Sequence, residues 1–137
     1  MNYSKDIIMN IFQCTGFQAA GVASGLKKNG GNDLGLIVSW VPATAAGVFT
    51  QNRVQAAPVI LDRERIKTGV CQAVLVNSGN ANCCTGEQGM RDAREMARLA
   101  ASALDIPEES VLVASTGVIG QPPVSYTHLT LPTKRIV

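Results

Sequence analysis

Two short apolar runs, Ala73-Val74-Leu75-Val76 and Val111-Leu112-Val113-Ala114, flank one amphipathic segment, and a strand, helix, strand order of this kind leaves few folds open. Both runs are short and bounded by polar residues or glycine, which suits strands inside a sheet and covered on both faces. Between them Met90, Ala93, Ala97, Ala100 and Leu104 recur at steps of three and four, with Arg91, Asp92, Arg94, Glu95 and Arg98 on the other side. That spacing predicts a helix with one core face and one water face. Thr85 and Gln88 have the spacing of a capping box at its start, and Pro107 marks its end. Asn77-Ser78-Gly79-Asn80-Ala81-Asn82 reads as a turn, because these residues tolerate left-handed backbone and hydrogen-bond their own main chain. The second strand delivers Ser115-Thr116-Gly117 to its end.

The rest of the chain reads as support for this unit. Residues 16–26 alternate small and apolar residues, and Asn29-Gly30 ahead of residues 34–39 is a hairpin signal that predicts antiparallel neighbours. Pro42 is expected to break the second of these strands, and residues 45–50 read as a third strand in which Gly47 permits close packing. Asp62-Arg63-Glu64-Arg65 reads as a solvated helical turn without a functional role. The expected fold class is α/β, with mixed β-sheet layers and covering helices.

Taken together, Val76-Asn77-Ser78-Gly79-Asn80-Ala81-Asn82, Thr85-Gly86-Glu87-Gln88-Gly89 and Ala114-Ser115-Thr116-Gly117-Val118-Ile119-Gly120 resemble the bifunctional ornithine acetyltransferase / glutamate N-acetyltransferase family of arginine biosynthesis. Gly16-Phe17-Gln18-Ala19-Ala20-Gly21-Val22-Ala23 and Ala45-Ala46-Gly47-Val48-Phe49-Thr50-Gln51-Asn52 extend the likeness, in the family's order and spacing. The resemblance covers roughly residues 16–122 and implies the N-terminal half of an N-terminal-nucleophile-like fold. It divides the chain into a loose N-terminal segment (1–15), an incomplete α-chain domain (16–123) and a tail (124–137). The tail resembles one reading frame of a sequencing-library adapter and is expected to be non-native.

Several chemistries are excluded by residue type. His128 in the tail is the only histidine, so a Ser-His-Asp or Cys-His site lacks its base. Cys14, Cys71, Cys83 and Cys84 have no CxxC spacing and no neighbouring histidine, so neither a zinc site nor a disulfide framework is indicated, and no metal or cofactor is expected. The adjacent Cys83 and Cys84 are disfavoured as a mutual disulfide and read as packing residues. A net charge of +2, with Lys134 and Arg135 in the tail, leaves no basic stripe for nucleic acid. The apolar residues between positions 7 and 12 are too few for a signal peptide or a membrane span. The chain is expected to be soluble and cytoplasmic. Asn77, Asn80 and Asn82 ahead of a helix form a weak anion-cradle signal, and a structural loop is the favoured reading.

The resemblance implies an acetyltransferase whose precursor cuts itself before a threonine. The freed threonine then carries acetyl from N-acetylornithine to glutamate, with acetyl-CoA as an open second donor. An N-terminal threonine needs no imidazole, since its own α-amine titrates near neutrality. The family's cleavage site lies downstream of the matched segment, so no nucleophile is expected among these residues and the chain alone is expected to be inactive. Ala43-Thr44 superficially fits such a site but reads as a turn. By resemblance, Thr116 and Gly117 form the oxyanion hole, through a hydroxyl and a backbone N–H. The expected partners are the missing β-chain and further αβ units. From the residues alone, Thr116-Gly117 is a strand-ending turn, and the reading from another class is a non-enzymatic small-ligand or protein-binding domain.

Overall fold

The computed structural model describes residues 14–121. Four strands form one sheet in the order β1 (Phe17–Val22), β2 (Leu34–Thr44), β3 (Val70–Asn80), β4 (Val111–Val118). The first three pair antiparallel, as the Asn29-Gly30 hairpin signal predicted for β1 and β2, while β3 and β4 run parallel. A parallel neighbour needs a crossover, and helix α2 (Gly86–Leu104) supplies it. Helix α1 (Ala57–Arg65) lies between β2 and β3 in the chain.

Both helices pack on one face of the sheet. Leu34, Leu36, Ala73, Leu75, Val111 and Val113 from the strands join Leu61 of α1 and Ala93, Met96, Ala97, Ala100 and Ala101 of α2 in a single core. The alanines let α2 lie close to the sheet without displacing the larger strand residues. The other face is open among the described residues: Ile37 is 38% exposed and Val74 and Val76 are half-buried. The expectation of β3 covered on both faces is therefore corrected to cover on one face. The helix stripe holds with one exception, Asp92, which is buried where a water-facing residue was expected. Its carboxyl is pushed above the ordinary range by desolvation, against a hydrogen bond from Gln88 and the charge of Arg91.

Four further expectations are overturned. Pro42 does not end β2, because a register shift between Val38 and Ala43 takes the proline out of the ladder and pairing resumes at Ala43. Ala43 and Thr44 are strand residues, not a turn. Residues 45–50 form no strand; Arg63 holds them instead, donating to the Thr50 carbonyl at 2.8 Å with its guanidinium 5.6 Å from the centre of the Phe49 ring. The charged run 62–65 belongs to α1 and is structural, since Asp62 accepts a hydrogen bond from Val113 N–H (3.0 Å) and Arg65 donates to Val111 O and to Glu108. Helix α2 ends at Asp105, which adopts the left-handed conformation (φ 55°), two residues before Pro107.

Burial pushes the Asp62 carboxyl up to about 6, against the opposing Val113 hydrogen bond and Arg65 charge. Folded Asp62 keeps its proton to higher pH than the unfolded chain does. The folded state thus binds more protons between the two values, and stability falls as pH rises through that window. Asp62→Asn keeps an acceptor for Val113 N–H and cannot ionise. Thermal melts of the two proteins should be close near pH ~4, with the variant gaining about 1 kcal/mol over wild type by pH ~7 after allowance for partial solvent screening. A difference that does not change between those pH values would remove Asp62 ionisation from the stability of the fold.

Candidate active site

The carboxyl ends of parallel strands are where open α/β sheets place ligands, since the connecting loops leave that edge accessible. In this chain they are the paired segments Asn77↔Ser115, Ser78↔Thr116, Gly79↔Gly117 and Asn80↔Val118. The predicted turn at 77–82 is thus largely strand, because β4 supplies a hydrogen-bonding partner as far as Asn80. Strand alternation puts Val111, Val113 and Ser115 on the helix-covered side, and Leu112, Ala114 and Thr116 on the open side. Thr116 and Gly117 are both exposed, and the Thr116 hydroxyl makes no hydrogen bond among the described residues.

Two glycines face each other at this end, both with positive φ: Gly79 at 117° and Gly117 at 131°. A Cβ built on Gly117 would lie 2.6 Å from Asn80 N and 2.7 Å from Gly79 O, inside the contact distance of any real side chain. Glycine at 117 is therefore what lets the two backbones close at the strand ends.

Asparagines then lace the loop after β3 to the segment after β4. Asn77 Nδ2 donates to Asn80 O (2.8 Å), Asn80 Nδ2 to Gln121 O (2.9 Å), and the N–H of Asn82 to Asn80 Oδ1 (2.7 Å). Ala81 N–H donates to Val118 O and Gly120 N–H to Cys83 O. Asn82, buried with φ 48°, reaches under the first turn of α2, where its Nδ2 donates to Gly89 O (2.8 Å) and its Oδ1 accepts from the Thr85 hydroxyl (2.7 Å). This explains why the capping box does not form: Thr85 is committed to Asn82, and Gln88 turns to Asp92. It also gives Gly89 its role, since a Cβ there would lie 2.7 Å from Thr85 Cβ. The three asparagines are structural, as expected, but as members of a buried network and not of a free loop. Their clustering beside glycine was the available signal.

The arrangement can present a hydroxyl and a backbone edge to a ligand from a rigid strand end. Among the described residues no group of three or more His, Cys, Asp or Glu side chains gathers as metal ligands, and no helix is long and apolar enough to cross a membrane.

The profile of the ArgJ family matches residues 18–131, running past position 123. This chain belongs to the ArgJ family. The arginine biosynthesis bifunctional protein ArgJ of Syntrophotalea carbinolica is 57% identical over 118 residues, covering 85% of this chain and 30% of that protein. ArgJ of Symbiobacterium thermophilum is 62% identical over 109 residues, 78% of this chain and 27% of that protein. The chain thus spans less than a third of these relatives. Among solved structures, ArgJ of Bacillus halodurans superposes with a TM-score of 0.84 at 44% identity, over 90% of this chain and 64% of that one. The ornithine acetyltransferase of Mycobacterium tuberculosis, solved with ornithine, gives 0.85 at 41% identity, over 89% and 66%. These ArgJ structures establish the mixed α/β fold that the sequence predicted.

Proposed function

We propose that this ArgJ-family chain forms the oxyanion-stabilising part of a cytoplasmic acyltransferase of arginine biosynthesis, which moves acetyl from N-acetylornithine to glutamate. The observation that carries the reading is the exposed Thr116-Gly117 pair at the carboxyl end of the parallel β3–β4 pair, in a family whose relatives include an ornithine acetyltransferase solved with ornithine. The attacking threonine and its α-amine come from downstream sequence, in a β-chain that packs with this one in αβ units.

The chemistry balances without a cofactor. The threonine hydroxyl attacks the acetyl carbonyl while its proton passes to the α-amine. The Thr116 hydroxyl and Gly117 N–H donate to the resulting oxyanion. Collapse breaks the C–N bond, and ornithine leaves with the proton; the glutamate amine then attacks the acetyl-threonine ester, the ester C–O bond breaks, and the proton lost by that amine passes through the α-amine to the threonine oxygen.

A chain continued with its natural downstream half, given labelled N-acetylornithine, should pass label to glutamate with ping-pong kinetics and retain it on a threonine when glutamate is withheld. The 137-residue chain alone should remain a single mass species and turn over neither substrate. Fragments summing to its mass, or turnover by it alone, would refute the assignment of the nucleophile to downstream sequence. Ligand binding by the complete protein without acetyl transfer would favour the non-enzymatic alternative. Replacing N-acetylornithine by acetyl-CoA tests the second donor.

A further inference from the structure

Cys83 and Cys84 stand side by side in the loop ahead of α2, with Sγ to Sγ 3.9 Å. Cys84 adopts φ 58° and is exposed, Cys83 is half-buried, and neither is in a disulfide. The expectation of two packing thiols is corrected by this placement, since the sulfurs face each other at the surface. Direct oxidation to a disulfide works against the covalent geometry. The Cα atoms of adjacent residues are about 3.8 Å apart across a trans peptide, nearer than the roughly 4.4–6.8 Å that disulfides span. An atom inserted between the sulfurs removes that obstacle, because each sulfur then bonds to the inserted centre and not to the other. Soft thiophilic centres favour this ligand type.

Cys84 also lines an open cavity of about 250 Å³ with Ala57, Ile60, Thr85, Gly86 and Met90. A dry cavity of about 150 Å³ is enough for a benzene ring, and the apolar side chains of Ala57, Ile60 and Met90 offer one a surface. We propose that Cys83 and Cys84 form a chelating dithiol site for one trivalent arsenic centre, with the neighbouring cavity accepting an aryl group attached to it.

With phenylarsine oxide, both S–H bonds break and two As–S bonds form. The arsenic-bound oxygen leaves with the two protons as one water, and no electron is transferred. Desolvation, then the neighbouring Cys84, hold the Cys83 thiol above its ordinary range, so Cys83 is not a ready thiolate for peroxide. The site does not rest on acetyl transfer. It touches the strand-end network through Cys83 O, which accepts from Gly120 N–H at 2.8 Å.

The test is titration of the reduced full chain with phenylarsine oxide, read by intact mass and by counting remaining free thiols. One arsenical should bind per chain and remove two thiols. Cys83→Ser and Cys84→Ser should each weaken binding by about a hundredfold or more, the loss expected when a second, intramolecular bond disappears. Cys14→Ser and Cys71→Ser should change nothing. On the wild-type chain, excess glutathione should fail to strip the arsenical while dimercaptopropanol removes it, a readout that holds even if a serine variant folds poorly. Removal by glutathione, two arsenicals per chain, or undiminished binding by well-folded Cys84→Ser would each overturn the proposal.

Discussion

In the complete enzyme, Thr116→Ala should lower the turnover of acetyl transfer by about a hundred- to a thousandfold, equivalent to roughly 3 to 4 kcal/mol of lost transition-state stabilisation. The KM for N-acetylornithine should change far less, because an oxyanion donor acts on charge that exists only after attack. Thr116→Ser should keep most of the activity, since it preserves the hydroxyl and removes only a methyl. The fold should not suffer: Thr116 is exposed and its hydroxyl has no partner among the described residues, so either substitution should stay within about 0.5 kcal/mol in stability. The three measurements separate mechanism from structure. Wild-type turnover by a well-folded Thr116→Ala enzyme would return Thr116 to a strand-ending role, and equal losses in Thr116→Ala and Thr116→Ser would assign the effect to packing of the methyl group.

The elements easiest to read from sequence were those with a short apolar run or a one-sided apolar stripe. The runs 73–76 and 111–114 are strands, and the Ala93, Ala97, Ala100 stripe is the buried side of α2, because burial there follows periodicity. The misread positions are those where a partner distant in sequence outweighs local preference. Asn77 and Asn80 disfavour strands, yet β4 pairs with them; Pro42 disfavours strands, yet a register shift accommodates it. Residues 45–50 have strand-like composition but no strand beside them, so they remain irregular. Asp62 looks like a solvent residue in a charged run, and only the tertiary structure supplies the Val113 N–H that its carboxylate accepts from; Asp92 is buried with a local partner, the Gln88 amide one turn earlier in α2. The role proposed for Thr116-Gly117 rests on family likeness, since Thr-Gly at a strand end is from sequence an ordinary turn pair. The reason glycine is needed at 117 is the approach of β3, which no local pattern encodes.

That approach predicts a large stability effect. Gly117→Ala places a methyl 2.6 Å from Asn80 N and 2.7 Å from Gly79 O, and both are backbone atoms that cannot rotate aside. The substitution also forces an L side chain onto φ 131°. Conformational strain of about 1 to 3 kcal/mol and a comparable overpacking cost combine to roughly 2 to 6 kcal/mol, a large share of what holds any domain of this size together. Gly79→Ala provides the internal control. Its φ of 117° carries similar conformational strain, but its Cβ would meet nothing nearer than Leu26 O at 3.5 Å, an ordinary contact. Urea unfolding should therefore rank wild type above Gly79→Ala above Gly117→Ala, with the second step reporting the steric term alone while the slope with denaturant stays constant. If Gly117→Ala unfolded at the same urea concentration as Gly79→Ala, the two strand ends would have room for a methyl between them. The close backbone contact that holds Thr116 at the edge of the sheet would then not exist in solution.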